Sequence, residues 1–384
     1  MRLILTACTK DGKLIILTEE YRRTELREWR QTENFYCPQC EKIVHLKVGD
    51  VVIPHFAHQK RSTCTTAFAE GESPQHLSGK RLLYQLLSAR ADHVILEPVI
   101  QEIAQRPDLL VTAQNVQIPI EFQCSTIPLS LLQLRTEGFR RIGMDPVWIL
   151  HTPAKLINQP LGIGIVQLSK FQEWFIQKSP PDGNCLLTFN PQTKSFHYFS
   201  HLMHVAGHRY IGLHQTLPIR FQQFPFAQPN ILESSQLHAY VVHYNALREK
   251  GLKQSIMLNR KGVQNPFLRS CYELRIVPVE LPKWIGIPTH KSDAFREGDY
   301  DWQLRLIHFM RRGGVKPTHI RNRDIESFVK QFKNPTTLKV SACREYINFL
   351  NQYKLGSNAK ETEYDENLIM KLISARFLAN EVLN

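Results

Sequence analysis

No run in this 384-residue sequence approaches the ~20 consecutive apolar residues needed to cross a bilayer, so no membrane span is expected. There is no Walker-type phosphate loop, no GxGxxG turn and no heptad array, and neither ATP use nor a coiled coil is indicated. The eight cysteines lack the clustering of a disulfide framework, and no secretory signal is present. Leu5-Thr6-Ala7-Cys8 resembles a lipoprotein cleavage site, yet only a few apolar residues precede it where a signal carries roughly 7–15. A hairpin over 3–18, turning at Lys10-Asp11-Gly12-Lys13, explains that stretch better. These absences point to a cytoplasmic, reducing compartment. Acidic residues are scarce in one part of the chain: residues 1–150 hold 18 Lys+Arg against 17 Asp+Glu, whereas residues 151–384 hold 30 against 18. A near-neutral first part followed by a strongly basic second part suggests an electrostatic grip on phosphate placed behind the chemistry.

What is present begins with carboxylates on apolar strands. Asp108 opens the run Leu109-Leu110-Val111, and the following run carries Glu121 and Gln123 two residues apart. Side chains alternate across a strand, so Glu121 and Gln123 share one face while Ile120 and Phe122 take the other. A carboxylate leaving an apolar strand must face water, pair with a cation or hold a metal, because burying it unpaired costs several kcal/mol, roughly. With Asp108 on the neighbouring strand, Mg²⁺ or Mn²⁺ becomes a natural ligand, being hard and oxygen-seeking. Around this pair the pattern predicts a helix over 74–91 capped by Ser73-Pro74, and a strand over 94–100 carrying Glu97. The two carboxylate strands follow, then a helix over 129–142 and a strand over 147–150. His76 and Lys80 lie one turn apart on the first helix, at the end of its apolar stripe, where they can overhang the carboxylates.

This spacing resembles the PD-(D/E)XK nuclease signature, with Pro107-Asp108 followed by Glu121-Phe122-Gln123, and the predicted element order is that of its core. The resemblance implies Asp108 and Glu121 as metal ligands, with Glu97 or Glu72 in support. Gln123 would orient water, Lys80 would offset phosphate charge and His76 would assist. The sequence departs from the pattern at Gln123, where Lys is usual; an amide cannot neutralise an anion, which puts catalysis in question more than metal binding.

Upstream, Cys37-x-x-Cys40 forms a knuckle suited to half of a tetrahedral zinc site. His55, His58 and Cys64 are three candidates for the two remaining ligands, with His58 and Cys64 preferred and His55 open. Such a structural zinc would fasten a small sheet with little core of its own.

Taken together, Tyr36-Cys37-Pro38-Gln39-Cys40, Pro54-His55-Phe56-Ala57-His58, Glu72-Ser73 with His76 and Lys80, Gln105-Arg106-Pro107-Asp108, and Glu121-Phe122-Gln123-Cys124-Ser125 resemble the competence protein CoiA family. These motifs span roughly residues 35–150. The resemblance implies a nuclease-like domain and a role in handling incoming DNA during transformation.

Beyond residue 150 the expectation is a mixed connecting region. Residues 171–177 read as helical, 185–189 and 195–199 as a hairpin, and His201, His204 and His208 as packing or surface histidines at spacings a helix could align. From 231 onward the pattern is helical and basic. Arg248, Arg260 and Lys261 form one cluster with Tyr244 and Phe267 interleaved. Arg311, Arg312, Arg321 and Arg323 belong to another, near Trp302, Phe309 and Phe328. Cations alternating with aromatics suit single-stranded DNA, and they equally describe amphipathic helices with buried rings. Arg135, on the helix over 129–142, is a further candidate for phosphate contact.

The expected architecture is therefore a multidomain α/β chain. It comprises an N-terminal β-rich zinc-binding module (1–68), a PD-(D/E)XK nuclease-like α/β core (69–152), a mixed connecting region (153–230) and a mostly helical basic C-terminal domain (231–384). The expected function is DNA processing during transformation and recombination, by a metal-dependent nuclease. The alternative is a non-enzymatic DNA-binding recombination mediator on a nuclease-like scaffold. Expected partners are single-stranded or branched DNA and recombination proteins.

Overall fold

A computed structural model describes residues 3–59, 73–179, 183–229, 232–260, 262–289, 291–355, 369 and 371–374. Cys64, Glu72 and Lys261 lie outside the described residues.

The N-terminal module is a six-stranded sheet with one helix. Its strands are β1 (Leu3–Ile4), β2 (Thr6–Cys8), β3 (Leu14–Ile16), β4 (Phe35–Tyr36), β5 (Ile43–Lys47) and β6 (His55–His58), in the order β1-β6-β5-β4-β2-β3. The expected hairpin appears as β2 and β3, paired at Thr6–Ile16, Ala7–Ile15 and Cys8–Leu14. In β5, Val44 and Leu46 point inward while Ile43, His45 and Lys47 point out, the alternation of a sheet with one covered face. The charged segment after β3 forms α1 (Arg23–Thr32), which sets Leu26 into the core with Ile15, Phe35, Val44 and Phe56.

The central unit opens with α2 (Pro74–Ser88), where the Ser73 hydroxyl accepts the His76 N–H at 3.2 Å and Pro74 occupies the first turn. The antiparallel strands β7 (His93–Leu96), β8 (Leu109–Ala113) and β9 (Val116–Gln123) follow. Helix α3 (Leu129–Arg141) then crosses over to β10 (Val147–His151), which lies parallel to β9. A parallel pair cannot be closed by a tight turn, so this crossover is obligatory, and it puts α3 against the sheet. Leu77, Leu83 and Leu87 of α2 pack with Ile120, Phe122 and Ile149, whereas Leu132 of α3 packs with Trp148 and Leu150 on the other face. A Cβ at Gly79 would stand 2.1 Å from the Phe122 ring, so the approach of α2 to β9 requires a glycine there.

The expected connecting region is corrected by the sheet itself. After α4 (Ala154–Ile157) come β11 (Gly162–Gln167), α5 (Lys170–Glu173), β12 (Gln177–Ser179), β13 (Gly183–Asn190), β14 (Ser195–Ala206) and β15 (Arg209–Pro218). These strands extend the same nine-stranded sheet in the order β11-β15-β14-β13-β10-β9-β8-β7, with β12 on β13. The helical alignment of His201, His204 and His208 is likewise overturned: His201 and His204 lie on β14 and are buried there, and His208 falls in the turn before β15.

Helix α6 (Ser234–Met257) covers the extension, with Leu237, Tyr240 and Val241 against Met203, Ile211 and Leu213. Helices α7 (Pro266–Leu274), α8 (Asp299–Arg312), α9 (Asn322–Val329) and α10 (Thr337–Gln352) then enclose a separate core including Trp284, Phe295, Trp302, Phe328 and Tyr346. No helix among the described residues is long and apolar enough to cross a membrane.

The two sheets meet at Glu97, a buried residue at the end of β7 with φ of 54°. Its Oε2 accepts the Thr6 hydroxyl at 2.7 Å and the Leu5 N–H at 3.2 Å from the N-terminal module. Within the larger sheet it meets the Lys80 ammonium at 2.5 Å and the Arg106 guanidinium at 2.8 Å. Replacing Glu97 by alanine strands two buried cations, so Glu97→Ala is expected to cost about 3–5 kcal/mol, read as a lowered urea midpoint. A midpoint equal to the wild type would show that the junction does not depend on this carboxylate.

Candidate metal centres and nuclease-like site

Antiparallel β8 and β9 pair Leu109 with Ile120, and this register carried one residue further sets Asp108 opposite Glu121. Asp108 Oδ2 accepts the Phe122 N–H at 2.9 Å and a hydrogen bond from His76 Nε2 at 3.0 Å, while the Lys80 ammonium stands 3.8 Å from Oδ1. Helix α2 thus brings His76 and Lys80 onto the carboxylate from its N-terminal end. Burial opposes ionisation of Asp108, but His76, Lys80 and the Phe122 N–H hold its carboxyl well below the usual range.

Glu121 is in a different state. Its side chain leaves the opposite face from Phe122 and receives a short hydrogen bond from Arg135 of α3. Burial pushes its carboxyl up to about 7; Arg135 pulls it down, and the neighbouring Asp108 charge pushes it up again. Two acids on adjacent strands are thereby held in opposite senses by their surroundings. Arg135 also donates to the Arg106 carbonyl at 3.3 Å and lies over the Trp148 ring at 5.8 Å, so a residue expected to touch DNA phosphate is instead committed to the carboxylate site.

The other predicted residues divide. Gln123 shares the buried end of β9, its amide donating to the Ser125 carbonyl at 2.8 Å. Lys80 is fully buried, with its strongest contact to Glu97. Both oxygens of Glu97 are taken by Lys80, Arg106, Thr6 and Leu5, and these charges, Arg106 and Lys80 foremost, keep it ionised down to about 2 against the effect of burial. The expected supporting ligand is therefore an ion-pair centre behind the site. Sequence reasoning assigned no role to Arg106 or His151. Arg106 could have been found as the cation beside Pro107-Asp108. His151, its ring centre 6.2 Å from that of Phe122, which also stacks with His76, carries no sequence signal beyond its position at the end of β10.

In the N-terminal module Cys37, Cys40 and His58 present ligand atoms within 4.8 Å of one another. Burial alone would raise the Cys37 thiol; the hydrogen bond with His58 and the N–H groups of Cys40 and Gln39 outweigh it and bring it down to about 6. A thiol so readily ionised beside a second cysteine and an imidazole can hold a soft-to-borderline metal such as zinc. His55 does not join the group. It lies three residues before His58 on β6, so it leaves the other face, and its Nδ1 bonds the Ile53 carbonyl at 2.8 Å.

The C-terminal candidates also divide. Arg248 is buried, its Nη2 donating to the carbonyls of Leu281, Pro282 and Ile285 at 3.0, 3.0 and 2.9 Å; it ties α6 to the following loop and is not a DNA contact surface. Arg260, Arg311, Arg312, Arg321 and Arg323 are exposed. Tyr244, Phe267, Trp302 and Phe328 are core residues, so rings and cations alternate because the helices are amphipathic, not because they offer stacking platforms.

Fold and site together define a mixed α/β protein with a thiolate–imidazole cluster on one sheet and paired carboxylates on another. The family model described as the nuclease-like domain of competence protein CoiA matches residues 72–228, and those of its N-terminal and C-terminal domains match residues 18–67 and 236–376. Competence protein CoiA of Bacillus subtilis (strain 168) is 33% identical over 293 residues, covering 75% of this chain and 74% of that one. This chain belongs to the competence protein CoiA family. No solved structure matches it.

Two outcomes follow from the geometry. The purified protein should carry zinc that Cys37→Ser loses, measured by elemental analysis after gel filtration; equal zinc in both proteins would remove the thiol cluster as the holder. For Glu121, the raised folded-state value means that its contribution to stability is fully present below its ordinary range and is lost as pH rises through about 7. In chelator, the Tm of Glu121→Gln relative to the wild type should therefore rise between pH 5 and pH 8. The change should be worth up to about 3 kcal/mol at about 1.36 kcal/mol per pKa unit. A difference that does not vary with pH would place Glu121 in the ordinary carboxylate range.

Proposed function

We propose that this protein is a metal-dependent DNA-processing nuclease of the PD-(D/E)XK type, acting on incoming DNA in competence. The observation that carries the proposal is that Asp108 and Glu121 lie at neighbouring strand ends, Glu121 buried and Asp108 partly so, with His76 and Lys80 on Asp108. The donor set fits a hard divalent cation: both groups offer carboxylate oxygens, and the Asp108 charge disfavours ionisation of Glu121 unless further positive charge arrives. Asp108 and Glu121 would hold Mg²⁺ or Mn²⁺, which when bound supplies an acidified water and a counter-charge for the scissile phosphate. His76 fixes the Asp108 carboxylate through its 3.0 Å hydrogen bond, and Lys80 holds the same group from the buried side. Gln123 would orient a water from the end of β9, its own amide N–H held by the Ser125 carbonyl. Zinc on Cys37, Cys40 and His58 would brace the N-terminal sheet, with Cys64 as a candidate fourth ligand. The exposed Arg311, Arg312, Arg321 and Arg323 supply a sequence-independent hold on the DNA backbone.

A second reading, a DNA-binding recombination mediator without catalysis, is favoured by one observation. The position where the resembling nucleases carry Lys holds Gln123, and its amide is turned to a backbone carbonyl. The two readings separate on end-labelled single-stranded, duplex and branched DNA incubated with Mn²⁺, Mg²⁺ or EDTA. The nuclease cuts in metal, and Asp108→Asn loses about 100-fold or more, the scale of a group essential to the chemical step. DNA bound equally in EDTA and never shortened in either metal would establish the mediator.

A further inference from the structure

Arg135 was singled out from the sequence as a phosphate contact, and the structure puts it somewhere else. Its guanidinium lies between the two segments that carry the acids. Its Nη2 donates both to Glu121 on β9 and to the carbonyl of Arg106, two residues before Asp108. Trp148, which pairs with Glu121 in the β9–β10 register, lies under it. It is therefore a cation already seated on a carboxylate that the proposed metal would need.

We propose that Arg135 is a resident counter-cation of the carboxylate site: it occupies Glu121 in the metal-free protein and is displaced from it when a divalent metal binds. This inference rests on reading Asp108 and Glu121 as a metal site. A guanidinium and a divalent ion close to the same carboxylate oxygen repel each other, so metal entry and the Arg135–Glu121 contact compete.

The surrounding structure shows which part gives way. Helix α3 is held in place: Trp148 Nε1 donates to the Thr136 hydroxyl at 3.1 Å, and a Cβ on Gly138 would lie 1.9 Å from the Gln105 amide. The helix is thus pressed onto the strand-end segment and tied to β10, and it has no room to move closer. Exchange falls to the side chain of Arg135, whose long stem can swing its head group away while α3 stays docked. The arrangement keeps the acid charge compensated before metal arrives. It also lowers the apparent affinity of the site for metal by the fraction of time Arg135 leaves Glu121 free.

The test is calorimetric titration of Mn²⁺ into the full-length, zinc-loaded chain and its Arg135→Met, Arg135→Lys and Asp108→Asn variants, with Tm recorded in chelator and in Mn²⁺. Arg135→Met should bind Mn²⁺ at least about tenfold more tightly than the wild type. That is the factor by which a competitor present about nine-tenths of the time lowers apparent affinity. Its Tm should fall in chelator and recover with Mn²⁺, and Arg135→Lys should return the affinity toward the wild type. If Arg135→Met fails to fold, Arg135→Gln keeps an N–H for the Arg106 carbonyl without the charge and should show the same tightening. Equal or weaker Mn²⁺ binding without the Arg135 charge, with binding still abolished by Asp108→Asn, overturns the counter-cation and leaves the metal site standing. Absence of Mn²⁺ binding in all the proteins, or binding that survives Asp108→Asn unchanged, removes the metal site and the inference with it.

Discussion

The buried carboxylate of Glu97 is the constraint on which the rest of the arrangement depends. It takes two cations, Lys80 from α2 and Arg106 from the segment before β8, and two hydrogen bonds from the N-terminal sheet. Removing several charged groups from water is unfavourable unless every partner is supplied, so the position of each element is tied to that of the others. Lys80, once held by Glu97, stands beside Asp108; Arg106, once held, brings Pro107 and Asp108 to the end of the sheet. The N-terminal module is joined to the same centre through the backbone of Leu5 and the hydroxyl of Thr6. The candidate site is thus built on an ion-pair cluster that itself faces neither solvent nor substrate.

In front of that cluster the two acids are treated asymmetrically. Asp108 lies on the α2 side among His76, Lys80 and a backbone N–H, and it is ionised at any ordinary pH. Glu121 lies on the α3 side with one guanidinium and a like-charged neighbour, and burial holds its carboxyl above the usual range. The asymmetry comes from the topology. The crossover helix must lie on the face opposite α2, and strand alternation sends Glu121 to that face while Phe122 goes to the other.

The C-terminal half keeps most of its large rings inside. Trp284, Trp302, Phe328 and Tyr346 fill a core of their own, Arg248 is spent on loop carbonyls, Arg305 lies over the Phe332 ring, and Arg311, Arg312 and Arg323 stay at the surface. A contact between the exposed arginines there and DNA would be a matter of phosphate charge. Such contact is sensitive to salt and indifferent to sequence.

Local pattern determined much of this protein. The Ser73-Pro74 start of α2, the alternation that divides Glu121 from Phe122, the Cys37-x-x-Cys40 knuckle and the order of helices and strands from 74 to 151 were all legible, because capping, periodicity and ligand spacing act over a few residues. Partnership was not legible. That Glu97 would be consumed by Lys80 and Arg106, that Arg135 would turn to Glu121, that His55 would face away from the thiols, and that residues 162–218 would continue the sheet all depend on contacts between segments distant in sequence. A carboxylate, an arginine or an apolar run looks the same in the chain whether it faces a ligand, a counter-ion or another strand. Only the tertiary structure decided among these, because the balance between desolvation and pairing is set by which groups meet in space.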